Sequence, residues 1–227
     1  MDLTVHYLTK NDCYKTAKKM TPKGIVLHST GANNPKLSRY VAPDDGRLGA
    51  NKYGNDWNRP GTSKCVHAMI GKDKHGKVCT YQTLPLNICC WGVGKGSKGS
   101  YNYNPARLQV EMLEDGLTDR TYFNAVYKEA QELCASWCKQ FNLPASSISS
   151  HREAHLAGYG SNHGDPEHWF KKHGKTMDDF RAGVQNLLNK KGTLYKVQVG
   201  SFSKRENAEK QLAKAKAAGF KDAYITT

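Results

Sequence analysis

Nowhere in the 227 residues is there a run approaching the ~18 uninterrupted apolar residues of a membrane span, so no span is expected. The opening stretch, MDLTVHYLTKNDCYKTAKK, lacks an apolar segment, and no secretory signal is expected in it. Like charges never run to five, and no RNP signature, zinc knuckle or helix-turn-helix pattern stands out, so nucleic acid is not expected as a partner. The seven cysteines (Cys13, Cys65, Cys79, Cys89, Cys90, Cys134, Cys138) include no CxxC pair and are odd in number. A chain this long needs no disulfide scaffold, so reduced thiols in a reducing compartment are expected. Their spacings also fit no thiolate zinc site. Acidic residues are few, 20 against 34 Lys plus Arg, for a formal charge of +14. That excess calls for an anionic partner without naming one. Four Trp, twelve Tyr and six Phe spread along the chain exclude wholesale disorder.

Two composition regimes divide the sequence. Residues 1–189 mix aromatic, His and Gly-rich segments, and the polar stretch 190–193 reads as a linker. Residues 194–227 carry a simpler pattern: LYKVQVGSF alternates as a strand, RENAEKQLAKAKAAGF forms a helix closed by Gly219, and DAYIT makes a second short strand. Within the first regime, GIVLHST (24–30) is a continuous apolar run closed by His and Ser, the pattern of a buried central strand. VHAMIGKDKHGKVCTYQ (66–82) predicts a hairpin turning at Lys74-His75-Gly76, and RLQVEML (107–113) another strand. Helical periodicity runs from Thr121 to about Phe141, and again over residues 177–189. Strands interleaved with helices predict an α/β fold, a central mixed sheet flanked by helices, followed by a small C-terminal β-α-β unit.

Histidine is unevenly placed. Five of nine, at 151, 155, 163, 168 and 173, lie in one 23-residue segment with Glu153, Asp165 and Glu167. Neutral imidazole and carboxylate are what zinc accepts, so this is the composition of a metal site, although a solvated polar loop has the same composition. Two ligand schemes follow. HREAH puts His151 and His155 at i and i+4 on one helix face, but Arg152 stands where the H-E-x-x-H motif needs its general base. The other joins His151 and Asp165 to a distant third ligand, best supplied by His28 at the C-terminal end of its strand.

Taken together, GIVLHSTGANN, the VHAMIG…GKVCTYQTLP hairpin, QVEM and SHREAH…NHGDP resemble the zinc-dependent N-acetylmuramoyl-L-alanine amidases of the type-2 group, related to peptidoglycan recognition proteins and found as phage and prophage endolysins. The resemblance covers roughly residues 5–189, with four motifs in order. It implies Zn2+ held by His28, His151 and Asp165, and a catalytic carboxylate at Glu111. Zinc would lower the pKa of water to ~7, and Glu111 would move the proton to the leaving amine. The family's K/R-x-D-P element is departed from at His163, which would then stabilise the oxyanion, a role worth ~3 kcal/mol per donor and pH-sensitive in an imidazole. Some relatives use a Tyr beside the hairpin His; Val66 occupies that place. Trp91, beside the Gly/Ser/Lys loop 92–100, has two readings, a groove wall that binds substrate or a core residue. His67 reads as a structural strand residue or a supporting donor.

The stretch 194–227 resembles the first half of a SPOR module, a peptidoglycan-binding repeat of two β-α-β halves. A lone half exposes strand edges, so it is expected to pair with a second copy in a homodimer or to hang as a tail. It holds a net +4, leaving +10 on residues 1–193, and both parts suit the anionic polymers of a Gram-positive wall. The expected protein is a lysin kept in the cytoplasm until released to the cell wall. A bacterial autolysin, or a wall-binding relative without catalysis, are the rival readings.

Overall fold

The protein is described by a computed structural model covering residues 1–190 and 197–226. The chain divides into two compact units, Met1–Lys190 and Lys191–Thr227.

In the first unit the elements follow in the order β1 (Leu3–Val5), α1 (Asp12–Thr16), β2 (Ile25–Ser29), β3 (Ala68–Lys72), β4 (Val78–Gln82), β5 (Leu108–Met112), α2 (Arg120–Phe141), β6 (Ile148–Ser150), α3 (His151–Leu156), α4 (Glu167–Lys172) and α5 (Met177–Asn189). The strands form one sheet ordered β1-β4-β3-β5-β2-β6. Every pairing is parallel except the β3–β4 hairpin. The sheet is mixed and flanked by helices, the α/β architecture predicted from the sequence.

Side-chain alternation along the strands decides what each face does. Ile25, Leu27, Ala68, Ile70, Leu108, Val110, Met112 and Ile148 point to one face and join Phe123, Val126, Leu133 and Trp137 of α2, Trp169 and Phe170 of α4, and Phe180 and Val184 of α5 in the main core. The intervening residues point the other way, where loops rather than long helices cover them. There Met69 packs with Leu37, Tyr40, Leu48 and Tyr81, and Val26 with Val93, Tyr101 and Ala154. With both faces covered, the inner strands are apolar nearly throughout, and a polar side chain on the loop-covered face stands out.

Caps fix where the helices start and stop. Asp119 accepts from the Tyr122 amide at the start of α2, and Asn142, left-handed at φ 52°, ends it. Thr176 and Asp179 close a reciprocal capping box on α5. All seven cysteines are buried free thiols, and burial pushes those of Cys65 and Cys90 well above the usual thiol range.

The second unit contains α6 (Arg205–Ala217), an Ala/Lys/Glu-rich helix with Arg205–Glu209 and Glu206–Lys210 ion pairs one turn apart. It ends in a Schellman motif: the Phe220 amide donates to Ala215, the Gly219 amide to Lys216, and Gly219 sits at φ 100°. The strands predicted over 194–202 and 222–226 do not form among the described residues; residues 194–196 lie outside them. A two-stranded unit with nothing to pair its edges is marginal in water, and Val197, Val199 and Phe202 stand exposed there.

Candidate active site

Strand register brings the first two groups together. β2 and β5 pair in parallel with His28 opposite Glu111, so both side chains leave the sheet on the loop-covered face. His151 follows from β6, which pairs with β2 through Ser149–Val26. Ser150 and Glu153 close a capping box that starts α3 at His151. Glu153 is held by Arg181 of α5 at 2.9 Å, and Arg152 by Glu167 at 2.8 Å. Asp165 is drawn in by backbone: its carbonyl accepts from the His151 amide at 3.1 Å, and its Oδ2 accepts from the Ser29 amide at 3.2 Å.

The result is a tight convergence. Nδ1 of His28 lies 3.0 Å from Nδ1 of His151, and the Asp165 carboxylate lies 3.3 Å from the first and 3.4 Å from the second. All three residues are buried. The outer ring nitrogens settle the tautomers. Nε2–H of His28 donates to Gln109 Oε1 at 3.0 Å, and Nε2–H of His151 donates to the Val93 carbonyl at 3.1 Å. Both Nδ1 atoms are therefore bare, and two lone pairs and a carboxylate face one point. Such a set is repulsive unless a cation sits between them. Its separations are close to the edges of a tetrahedron whose centre lies about 2.0–2.1 Å from each corner, and two imidazoles with one carboxylate are a donor set that zinc accepts. The donors present fit the metal. Among the described residues no other His/Cys/Asp/Glu group converges in this way. His155 instead sets its Nδ1 against the Gly160 carbonyl at 3.2 Å, which removes the i, i+4 ligand scheme.

Charges around the centre oppose one another. Burial works against the Asp165 carboxylate, yet the two imidazoles beside it, His151 and His28, hold it well below the usual carboxylate range. Burial pushes Glu111 well above that range, the Asp165 and Glu114 charges push it further, and Lys64 pulls it back. A carboxylate shifted upward is a stronger proton acceptor, the property needed in a group that takes a proton and returns it.

His163 is exposed at the rim, its ring stacked on that of His151 with centroids 4.5 Å apart, and its Nδ1 is 3.0 Å from Ser161 Oγ. Trp91 is half-buried and packs on Cys13, Cys65, Leu84, Ile88 and Cys90; the chain meets the converging ligands two residues later, at Val93. Buried Gln109 and Glu114 were not singled out from the sequence. Glu114 accepts from Ser29 Oγ, from the Gly31 amide at 3.1 Å and from His168 Nε2 at 3.0 Å, bracing the exit of β2. The signal for Gln109 was parity: it lies two residues before Glu111 and shares its face.

Behind Gln109, His67 is wholly buried; its Nδ1 accepts from the Gln109 amide at 3.0 Å and its Nε2–H donates to the Ile88 carbonyl at 2.9 Å. Burial pushes its pKa down to about 4, against a small upward pull from the Ile88 carbonyl. The unfolded value is about 6.5, so His67 contributes roughly 3 kcal/mol of stability that is complete above pH ~6.5 and is lost as pH falls to about 4. Melting curves across that window are expected to fall less steeply in His67→Gln than in the parent. Parallel curves would contradict this role.

Comparison with known proteins gives the family and the fold. Residues 18–168 match the family described as N-acetylmuramoyl-L-alanine amidase. The chain belongs to that family. Its members hydrolyse the amide joining N-acetylmuramic acid to L-alanine in peptidoglycan. Residues 178–227 of the amidase match the SPOR domain, a peptidoglycan-binding module. That match begins inside α5, whose packing against α2 belongs to the first unit. No curated protein matches the amidase significantly. Among solved structures, the PlyG catalytic domain aligns over 87% of this chain and 100% of its own, at 19% identity and a TM-score of 0.56. The hydrolase AmiA of Staphylococcus aureus, solved with its ligand, aligns over 82% of each chain at 17% identity and 0.52. The XlyA catalytic domain aligns over 81% and 99% at 20% identity and 0.52. At such identities these likenesses speak to the fold.

Proposed function

We propose that the amidase works as a zinc enzyme, with His28 and His151 binding through Nδ1 and Asp165 through its carboxylate. The observation that carries this reading is the convergence of those bare donors beside Glu111, the register partner of His28. A zinc ion held there supplies Lewis acidity toward the scissile carbonyl and acidifies water to near neutrality. Glu111 takes the proton of the attacking water on its carboxylate and returns it to the nitrogen of the departing L-alanine. His163, with Nδ1 engaged by Ser161, turns Nε2 to the oxyanion as a donor. Trp91 contacts the substrate from beside the loop that reaches His151.

The same reading divides the labour along the chain: residues 1–189 catalyse, 190–193 link, and 194–227 hold the wall. The basic surface suits anionic wall polymers, and exposed Val197, Val199, Phe202 and Phe220 support pairing of the C-terminal unit with a second copy. Among the described residues no helix is long and apolar enough to cross a membrane. The amidase acts as a lysin held in the cytoplasm until released to the wall. Its test is product analysis. Purified peptidoglycan treated with the protein should yield stem peptides with free N-terminal alanine and intact glycan strands, and chelation should stop their release. New reducing ends in the glycan, or cleavage inside the stem peptide, would contradict the assignment.

A further inference from the structure

Behind the proposed zinc ligands runs a chain of hydrogen bonds whose directions are all determined. It begins at the backbone of Val93. The Val93 amide is a donor only and faces Asn102 at 3.2 Å, so the atom it meets is Oδ1. The Gly94 carbonyl is an acceptor only and lies 3.4 Å from the other side, so the atom there is Nδ2. Asn102 therefore has one orientation. Its Oδ1 also accepts from Gln109 Nε2 at 2.8 Å, which fixes the Gln109 amide. Gln109 Oε1 is then turned to His28 Nε2 at 3.0 Å, and because that oxygen only accepts, the imidazole proton sits on Nε2. The same Val93 supplies its carbonyl to Nε2–H of His151. One residue's amide and carbonyl thus set the tautomers of both histidines.

The local sequence permits this approach. A Cβ at Gly92 would lie 2.4 Å from Gln109 Oε1 and 3.1 Å from the Cys65 carbonyl, and Gly94 sits at φ 69°, a left-handed conformation. Gln109 is fully buried and Asn102 nearly so, so neither amide can exchange its partners for water.

We propose that Gln109, oriented by Asn102 and Val93, is the positioning residue that holds His28 with its Nδ1 lone pair toward the metal. This rests on the zinc reading above and deepens it. Partners of this kind orient a ligand and raise its basicity, and their loss commonly weakens metal binding about 10–100-fold.

The test measures metal, not turnover. Full-length protein is stripped of metal, its Zn2+ affinity is read by competition with a chromophoric chelator, and its site is compared by Co2+ visible absorption. Gln109→Leu should bind Zn2+ about 10–100-fold more weakly with an altered Co2+ spectrum. Gly92→Ala should move in the same direction, because the new methyl displaces the Gln109 oxygen. Gly92→Ala carries the test if Gln109→Leu does not fold. Parental affinity and spectrum in folded Gln109→Leu or in Gly92→Ala would overturn the proposal. A parent that cuts peptidoglycan but takes up no Zn2+ would overturn the zinc reading itself, and this proposal with it.

Discussion

His28→Ala is expected to abolish zinc binding and bring amide hydrolysis to background, while the protein stays folded. The substitution removes one of three donors around a centre whose remaining members, His151 and Asp165, cannot close a three-ligand site. The fold survives because main-core packing lies on the opposite face of the sheet, through Ile25 and Leu27. What is left behind is one unfilled acceptor, Gln109 Oε1, against the relief of two facing lone pairs. Asp165→Asn should behave alike, since it removes the anionic donor of the three-residue set. Elemental analysis and stem-peptide release, measured on the same preparations, check both variants. Undiminished activity in either would remove these residues from the centre.

Glu111→Gln separates metal binding from chemistry. The isosteric amide cannot take a proton, so the rate should fall about 10²–10⁴-fold while zinc content stays at the parent level. Stability should change in the other direction. Glu111 is a buried carboxyl whose ionised form is disfavoured by burial first and then by Asp165 and Glu114. Replacing it by a neutral group relieves that cost, so the chelated variant should melt at or above the chelated parent. Lower stability together with retained activity would make Glu111 a structural residue.

Much of this was legible in the sequence because period and chemistry agreed. The apolar run ending in His28 is β2, the helix expected over 177–189 is α5, and the 121–141 pattern is α2, beginning one residue earlier at its Asp119 cap. Four motifs in order pointed to the three donors and Glu111, and the fold brings all four to one face. Less legible were elements too short to carry a period. β1 at Leu3–Val5 is an edge strand whose pairing with β4 no local pattern announces, and β6 is three residues long. The Gln109–Asn102 pair was also missed, because a neutral amide on a buried strand gives no sign of partners seven residues upstream or on another strand. The C-terminal strands failed for the opposite reason. Alternation in LYKVQVGSF is a real β signal, but a strand needs a neighbour, and among the described residues none pairs with it.

The most direct measurement is a zinc titration of chelator-stripped protein with hydrolysis of purified peptidoglycan followed at each addition. Activity should rise linearly and reach its plateau at one zinc per chain, with His28→Ala flat throughout and Glu111→Gln saturating in metal but not in rate. Full activity in the stripped protein, unchanged as zinc is added, would contradict the zinc assignment.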